Sequence, residues 1–351
     1  MKKCSENAPM KLATYKDGSR DGQLVVVSRD LRVAQFASHI ATRLQQVLDD
    51  WNYFSPQLQD VYDALNAGRA RAAFAFDATR CMAPLPRAYQ WAHANAYPHH
   101  LELLYQARGA DVPENLHVQV RMYQGGSDGL LGPHDPIACA EEAFGVDFEA
   151  ALAVITSDIP VGCTADRALE GVRLLMLVND VHLRHLAPDE ALDAGVDVQS
   201  KPATAFSPVA ITPDELGEAW SKGRVHLPLQ CSWNGRRVGM CEAGPEMRFH
   251  FGQLIAHLAK TRSVGAGSII GSGAVSNKGT GKKGALAWPA GYSTIAQKRA
   301  MEILQDGHAT TGFMKPGDTI RIEMKDASGQ TVFGAIEQEF VPLNNLARPH
   351  V

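Results

Sequence analysis

The chain has 351 residues, of which 45% are hydrophobic and 21% are charged, so it is long enough to bury a large core in one domain or two. Its formal net charge of −4 gives no electrostatic reason to expect binding to nucleic acid or to an anionic membrane. The six cysteines include no C-x-x-C pair, so they suggest neither a disulfide framework nor a zinc site built on cysteines. No apolar run suits a signal peptide or a transmembrane helix, so we expect a cytoplasmic protein.

The N-terminal part predicts a hairpin followed by two helices. Short strands are predicted at Lys11–Tyr15 and Gln23–Val27, on either side of a turn-rich segment. Hydrophobic residues from Val33 to Trp51 recur at helical spacing, which predicts a first helix. A second helix is predicted to begin at Pro56, since proline is favoured in a first turn, and to end at Gly68.

A proline-rich segment then suggests a boundary between domains. The residues from Met82 to Pro86 are typical of a linker. We therefore predict a small N-terminal α/β domain over residues 1–84, with about the first ten residues disordered. A larger domain is predicted over residues 85–345.

The next segment contains a pair of adjacent histidines and a glycine-serine motif. A helix is predicted to begin near His100 and to end at Gly109. His99 and His100 diverge by about 100° on a helix, so they do not form a metal-binding pair. Residues Gly125 to Gly129 contain G-x-S-x-G, but a nucleophilic serine needs a helix directly after it, and the residues that follow are poor helix formers.

Charged residues gather around an apolar strand in the middle of the chain. Leu174–Val178 is a continuous apolar run, typical of a strand buried on both faces. It leads into Asp180, with Arg184 four residues later, while Glu149 opens an earlier apolar strand and Lys201 follows in a loop. Because an isolated buried charge is unfavourable, we expect these four side chains to converge on one pocket.

The C-terminal part predicts a hairpin at Asn234-Gly235, a helix from Phe251 to Thr261, and a strand from Ser268 that enters a glycine-rich loop. That loop lacks the residues of a phosphate-binding P-loop, so Lys278 to Lys283 is interpreted as a mobile basic loop or lid. A last hairpin is predicted around Ser328-Gly329.

The order and spacing of four short segments resemble the fumarylacetoacetate hydrolase family. These segments are His93 to His100, Glu149-Ala150-Ala151, Asn179 to Arg184, and Lys201-Pro202-Ala203-Thr204. The resemblance covers nearly the whole chain. It implies an α+β, β-rich fold in which a small N-terminal α/β domain precedes a mixed β-roll domain, commonly paired as a homodimer.

The resemblance also implies an activity and roles for particular residues. Family members typically bind Mg²⁺ or Ca²⁺ and cleave a C–C bond of a small 1,3-dicarbonyl or 2-oxo acid. By resemblance, Glu149 and Asp180 are metal ligands and His100 is the general base. Arg184, Lys201 and Tyr123 are by resemblance the contacts to a small carboxylate substrate, and Arg184 and Lys201 also assist catalysis.

Four positions depart from the family pattern. His93 stands where the family has an aspartate ligand, and Ala151 replaces the second glutamate of E-x-E. Ala274 replaces a threonine, and Gln297 replaces a glutamate that supports the base. The loss of negative charge at the ligand positions is expected to weaken binding of a hard cation.

Three hypotheses remain open from the sequence. In the first, the protein is a metal-dependent hydrolase or lyase in which water fills the vacant ligand positions. In the second, His93, Glu149 and Asp180 bind Mn²⁺, Fe²⁺ or Zn²⁺, because one imidazole and two carboxylates suit these ions. In the third, the pocket binds no metal and serves as an isomerase, a decarboxylase or a non-catalytic site for a small anion.

Overall fold

The computed structural model describes residues 8–186, 198–279 and 287–345. It is a mixed α+β, sheet-rich structure with a small N-terminal domain, so the predicted fold class is confirmed. No helix in these described ranges is long and apolar enough to cross a membrane.

The strands of the described residues are numbered here in chain order. They are β1 (Lys11–Tyr15), β2 (Gln23–Val27), β3 (Val33–Phe36), β4 (Phe74–Ala75), β5 (Trp91–Ala94), β6 (Met122–Gly125), β7 (Ile137–Cys139), β8 (Val146–Asp147), β9 (Ala150–Thr156), β10 (Val172–Asn179), β11 (His182–Leu183), β12 (Ala205–Phe206), β13 (Ala210–Ile211), β14 (Trp220–Ser221), β15 (Arg224–Val225), β16 (Pro228–Trp233), β17 (Arg236–Glu242), β18 (Ile269–Gly271), β19 (Thr319–Lys325) and β20 (Thr331–Pro342). The α-helices are α1 (Leu44–Asp49), α2 (Trp51–Asn66), α3 (Pro98–Ala107), α4 (Ala165–Leu169), α5 (Phe251–Leu258) and α6 (Ile295–Asp306).

Two sheets contain most of these strands. The larger has the order β4-β3-β2-β1-β13-β10-β9-β18-β5-β6, with β12 also paired to β10. The second has the order β17-β16-β19-β20-β7. Both sheets are mixed, since β18 runs parallel to β5 and β20 runs parallel to β7, whereas the other pairs are antiparallel. The N-terminal strands extend the larger sheet, because β1 pairs with β13.

Strands β9 and β10 lie inside the larger sheet and are buried on both faces. Alternate residues of β9 enter different cores: Leu152 packs in one hydrophobic cluster and Ala153 in the other. On β10, Leu175 and Met176 divide in the same way. This is the burial that a continuous apolar run predicts for a central strand. The position of the residues that follow such a strand is set by its pairing with strands on both sides.

The predicted N-terminal hairpin of β1 and β2 is confirmed, but the first predicted helix is wrong in its first half. Val33–Phe36 forms strand β3, which pairs with β2 after a turn at Leu31. Pairing with an existing strand satisfies backbone groups that an isolated helical turn would leave to water, so tertiary contact overrides the helical spacing. Helix α2 begins at Trp51, and Pro56 lies inside it rather than at its start.

The later elements agree more closely with those predicted from the sequence. Helix α3 begins at Pro98, two residues before the predicted start, and Gly109 adopts a left-handed φ of +66° just beyond it. The hairpin at Asn234-Gly235 joins β16 to β17. Strand β6 precedes Ser127, but no helix directly follows that serine, which confirms that it is not on a nucleophile elbow.

Two expectations depend on residues outside the described ranges. The predicted disorder near the N-terminus concerns mostly residues 1–7, whereas Met10 is buried in the core. The predicted basic loop from Lys278 to Lys283 falls largely on residues 280–286. The boundary proposed between residues 84 and 85 stays a prediction.

Candidate active site

Polar side chains from the predicted pocket meet where the central strands of the larger sheet end. His93 on β5 lies directly opposite Tyr123 on β6. Glu149 immediately precedes β9 and Asp180 immediately follows β10, and these two strands pair antiparallel. The backbone N–H of Asp180 donates to the carbonyl of Glu149 over 2.9 Å, which fixes the two acids side by side.

His93, Glu149 and Asp180 form a buried set of candidate metal ligands. One donor atom from each lies within 4.8 Å of the others. The Nε2 atom of His93 lies 3.3 Å from Oε1 of Glu149 and 3.8 Å from Oδ2 of Asp180. One imidazole nitrogen and two carboxylate oxygens suit a divalent transition ion, so this donor set fits a metal. The structure thus brings together the three residues of the sequence hypothesis.

Two cationic side chains lie against these acids. The ammonium of Lys201 lies 2.6 Å from Oδ2 of Asp180 and 3.5 Å from Oε2 of Glu149. Arg184 reaches Oε2 of Glu149 through Nη2 over 3.3 Å. Burial disfavours the ionised carboxylates, but the charge of Lys201, together with the other positive charges and hydrogen bonds around them, outweighs burial and holds the pKa values of Glu149 and Asp180 below their usual range. All four predicted charges therefore do converge.

Asp147 is a further acid at this site that the sequence interpretation missed. Its side chain is fully buried, accepts the N–H groups of Ile295 and Ala296 at 2.6 and 3.1 Å, and lies 2.9 Å from Nε of Arg184. It therefore joins the start of α6 to the arginine of the pocket. The signal that could have found it is its position two residues before Glu149, on the same side of an extended chain.

Two residues of the quoted motifs position the acids. The hydroxyl of Thr204 donates to Oδ1 of Asp180 over 2.7 Å. The side-chain oxygen of Asn179 accepts the backbone N–H of Glu149 over 3.0 Å. Both residues are buried, so these hydrogen bonds do not compete with water. They restrict the orientation of the candidate ligands.

Tyr123 contributes a hydroxyl to the same group. Its phenol donates a hydrogen bond to Oδ2 of Asp180, and the ammonium of Lys201 lies 5.2 Å from the centre of its ring. Burial, together with the neighbouring carboxylates, raises the pKa of Tyr123 well above its usual value. The phenol is therefore neutral and acts as a hydrogen-bond donor.

The two adjacent histidines of α3 point to different partners. Nδ1 of His99 lies 2.8 Å from the hydroxyl of Ser276, whereas Nδ1 of His100 lies 3.0 Å from the amide nitrogen of Gln297 on α6. Burial lowers the pKa of His100 to about 4, although the charge of Glu149 acts in the opposite direction. His100 is thus a neutral imidazole, and it lies close enough to Glu149 for the charge of that residue to affect its pKa.

The position of Ala151 shows what replaces the carboxylate of the family pattern. Ala151 is fully buried in the hydrophobic cluster that contains Trp91 and Phe206. The Trp91 ring lies 5.4 Å from that of Phe206 and 5.0 Å from that of His93. A methyl group within an apolar cluster therefore occupies this position beside the candidate ligands.

Similar solved structures share this architecture along almost the whole chain. Fumarylacetoacetate hydrolase from psychrophilic Exiguobacterium antarcticum is 17% identical, with a TM-score of 0.61, and 95% of this chain and 99% of that chain are covered. For 2-hydroxyhepta-2,4-diene-1,7-dioate isomerase from Mycobacterium marinum, the identity is 15%, the TM-score is 0.56, and the coverage is 95% and 98%. At these identities the likeness shows the fold.

A third similar structure was determined with ligands. Maleylpyruvate hydrolase from Sphingobium sp. SYK-6, in complex with manganese (II) ion and pyruvate, is 16% identical with a TM-score of 0.61. The match covers 95% of this chain and 99% of that one. No curated protein matches the chain.

Two family models match consecutive parts of the sequence. Residues 10–87 match the fumarylacetoacetase N-terminal domain 2, and residues 90–341 match the fumarylacetoacetate hydrolase C-terminal domain. The second match spans more than half of the 351 residues. The chain therefore belongs to the fumarylacetoacetate hydrolase family.

Proposed function

We propose that this protein is an enzyme that converts a small 2-oxo or 1,3-dicarbonyl carboxylic acid by way of an enolate. The observation that carries the proposal is the balance of buried charge. Three carboxylates, those of Asp147, Glu149 and Asp180, lie against two cationic side chains, those of Arg184 and Lys201. Counted with ionised carboxylates and without the histidines, these five side chains are short of one positive charge.

A divalent cation and an anionic substrate together would balance this group. A divalent ion held by His93, Glu149 and Asp180 would change the deficit of one positive charge into an excess of one, which a substrate carboxylate would neutralise. Mg²⁺ or Ca²⁺ is the expectation from the family, and Mn²⁺, Fe²⁺ or Zn²⁺ suits the imidazole donor. When bound, such an ion supplies a Lewis acid that polarises a carbonyl oxygen.

The side chains of the pocket supply recognition and charge stabilisation. Lys201 and Arg184 offer N–H donors to the substrate carboxylate, and the neutral phenol of Tyr123 offers an O–H donor. In the substrate-free protein these donors are held by Asp180 and Glu149, so they are already oriented before substrate enters. A negative charge that develops on a substrate oxygen would be stabilised by the same groups.

Two reactions compete for the fate of the enolate. Hydrolytic cleavage of a C–C bond is the reaction that family membership favours, with His100 as the base that activates water. Isomerisation or decarboxylation is the second candidate. It is favoured by one specific observation, namely that the partner of His100 is the amide of Gln297 rather than a carboxylate.

The experiment tests the protein on two oxo acids, whose products distinguish hydrolysis from decarboxylation. Protein incubated with Mg²⁺ or Mn²⁺ receives 2,4-dioxopentanoate, which hydrolysis converts to acetate and pyruvate. Separately it receives oxaloacetate, which decarboxylation converts to pyruvate and CO₂, whereas hydrolysis gives oxalate and acetate. Products are followed by proton NMR, and a sample with the acid and the metal but no protein measures spontaneous decay.

Matched variants connect any turnover to the pocket. Lys201→Met and Arg184→Met are expected to abolish conversion, while Arg262→Met, at an exposed position, leaves it unchanged. Turnover of either acid that depends on Lys201 supports the proposal. Saturable binding of the acids without conversion of either one would instead support the alternative from the sequence, a non-catalytic site for small anions.

A further inference from the structure

The amide of Gln297 is held in one orientation by its neighbours. Gln297 lies in the first turn of α6, and its Oε1 atom accepts the backbone N–H of Ser293 over 2.8 Å. A backbone N–H can only donate, so the side-chain oxygen must be on this side. The residue is 1% exposed, and water therefore does not replace this hydrogen bond.

The amide nitrogen consequently faces two acceptors. Nε2 of Gln297 lies 3.3 Å from the carbonyl of Val275 and 3.0 Å from Nδ1 of His100. If the amide were turned over, its NH₂ group would face the N–H of Ser293 and its oxygen would face the carbonyl of Val275. Two repulsive contacts in a buried place would replace two hydrogen bonds, which opposes the turned orientation.

This orientation determines which nitrogen of His100 carries the proton. Because Gln297 donates to Nδ1, that nitrogen uses its lone pair as an acceptor. A neutral imidazole has one N–H, and it must then be on Nε2. Nε2 of His100 makes no hydrogen bond to any of the described residues, so its proton is available to a ligand.

We infer that Gln297 is a positioning residue that holds His100 in the Nε2–H tautomer, so that His100 donates a hydrogen bond to the substrate instead of taking a proton from water. The inference rests on the proposed function and selects its non-hydrolytic branch. A carboxylate at position 297 would accept from Nδ1–H and leave the Nε2 lone pair free for base catalysis. The amide produces the opposite arrangement.

Decarboxylation is the reaction that this arrangement suits best. Hydrolysis requires a base for water, and isomerisation requires a base for a substrate proton. Loss of CO₂ from a 3-oxo carboxylate requires neither. The C–C bond to the carboxylate breaks, its electron pair passes into the adjacent ketone to form the enolate, CO₂ leaves, and the enolate then takes a proton from water. An Nε2–H donor would stabilise the developing enolate oxygen.

The first test reads the tautomer directly and does not depend on activity. The two ring nitrogens of His100 are observed by ¹⁵N NMR in histidine-labelled protein at pH 7, because protonated and unprotonated imidazole nitrogens have well-separated shifts. The His100 signals are assigned by their loss in His100→Gln, and His99→Gln serves as the neighbouring control. We expect an unprotonated Nδ1 and a protonated Nε2. A protonated Nδ1 in the wild-type protein would overturn the inference.

The second test changes the partner. Gln297→Glu is expected to move the proton to Nδ1 and to raise kcat/KM for hydrolysis of 2,4-dioxopentanoate by about 100-fold, the lower end of the range for base catalysis. Decarboxylation of oxaloacetate should fall in the same variant. If the proton moves to Nδ1 but the ratio of hydrolysis to decarboxylation stays the same, the catalytic part of the inference is wrong. If wild-type His100 has the Nε2–H tautomer but neither acid is converted, the proposed function fails and the tautomer assignment stands.

Discussion

The imidazole of His93 lies over Gly271, at a place where no side chain would fit. A β-carbon added to Gly271 would lie 2.0 Å from Nδ1 of His93, and the two residues are paired across β18 and β5. Strand β18 separates β5 from β9, so two strand spacings, about 10 Å, lie between the backbones of the strand that carries His93 and the strand that Glu149 precedes. The ring reaches Glu149 because it crosses the bare backbone of Gly271.

Gly271→Ala should therefore damage the candidate metal site without removing a ligand. We expect the His93 ring to be displaced and the affinity for Mn²⁺ to fall about 10–100-fold, as for the loss of a residue that orients a ligand. Calorimetric titration with Mn²⁺ measures the effect. Gly312→Ala is the control, since a β-carbon there has no neighbour within 4 Å. Unchanged affinity in Gly271→Ala would show that His93 is not a ligand.

Thr204→Val tests the orientation of Asp180. The substitution keeps the shape of the side chain but removes the hydrogen bond of 2.7 Å to Oδ1 of Asp180. We expect the free energy of unfolding to fall by about 1–3 kcal/mol, because a buried carboxylate oxygen loses its donor. Urea denaturation measures this change. Thr204→Ser retains the hydroxyl and should restore most of the stability, which a purely steric effect would not explain.

Glu302 provides a prediction about pH. Its carboxylate accepts the N–H groups of Thr310 and Thr311 at 2.8 and 2.9 Å and the Thr311 hydroxyl at 2.6 Å. Burial opposes ionisation, but these hydrogen bonds outweigh it and lower the pKa of Glu302 to about 2. The stability contributed by this group is therefore present above its ordinary pKa of 4.5 and is lost as the pH falls toward 2.

Glu302→Gln should lower the free energy of unfolding by about 1–3 kcal/mol at pH 7. The difference from wild type should shrink as the pH falls from 5 to about 3, because the Glu302 carboxylate takes up a proton in the unfolded chain while it stays ionised in the folded protein. Urea denaturation across this range measures it. Glu339→Gln, at an exposed position on β20, should show no such trend. A difference that stays constant with pH would contradict this account.

The central part of the site could be predicted from the sequence because it depends on strong local signals. The apolar run Leu174–Val178 forms the buried strand β10, and antiparallel pairing with β9 brings Asp180 beside Glu149. Burial of charge then requires cations nearby, and Lys201 and Arg184 are found there. The convergence of these residues therefore follows from their order along the chain and from elementary electrostatics.

The rest depends on contacts between distant segments. Val33–Phe36 has helical spacing but pairs with β2, because a strand edge was available to it. Asp147 is marked in the sequence only by its position two residues before Glu149, and its contact with the start of α6 depends on the folded chain. The orientation of the Gln297 amide depends on Ser293 and Val275, whose positions are determined by the folded loops around α6. Sequence patterns carry little information of this kind.

The most direct test of the account is calorimetric titration of the purified protein with Mn²⁺, followed by titration with oxalate, which mimics the enolate of a 2-oxo acid. We expect specific Mn²⁺ binding in the wild type, its loss in Asp180→Asn, and its retention in the control Asp60→Asn, at an exposed position. Oxalate should bind only when Mn²⁺ is present and should require Lys201. Absence of specific binding for Mn²⁺, Mg²⁺ and Zn²⁺ alike would contradict the proposed cation site and, with it, the charge balance from which the function was argued.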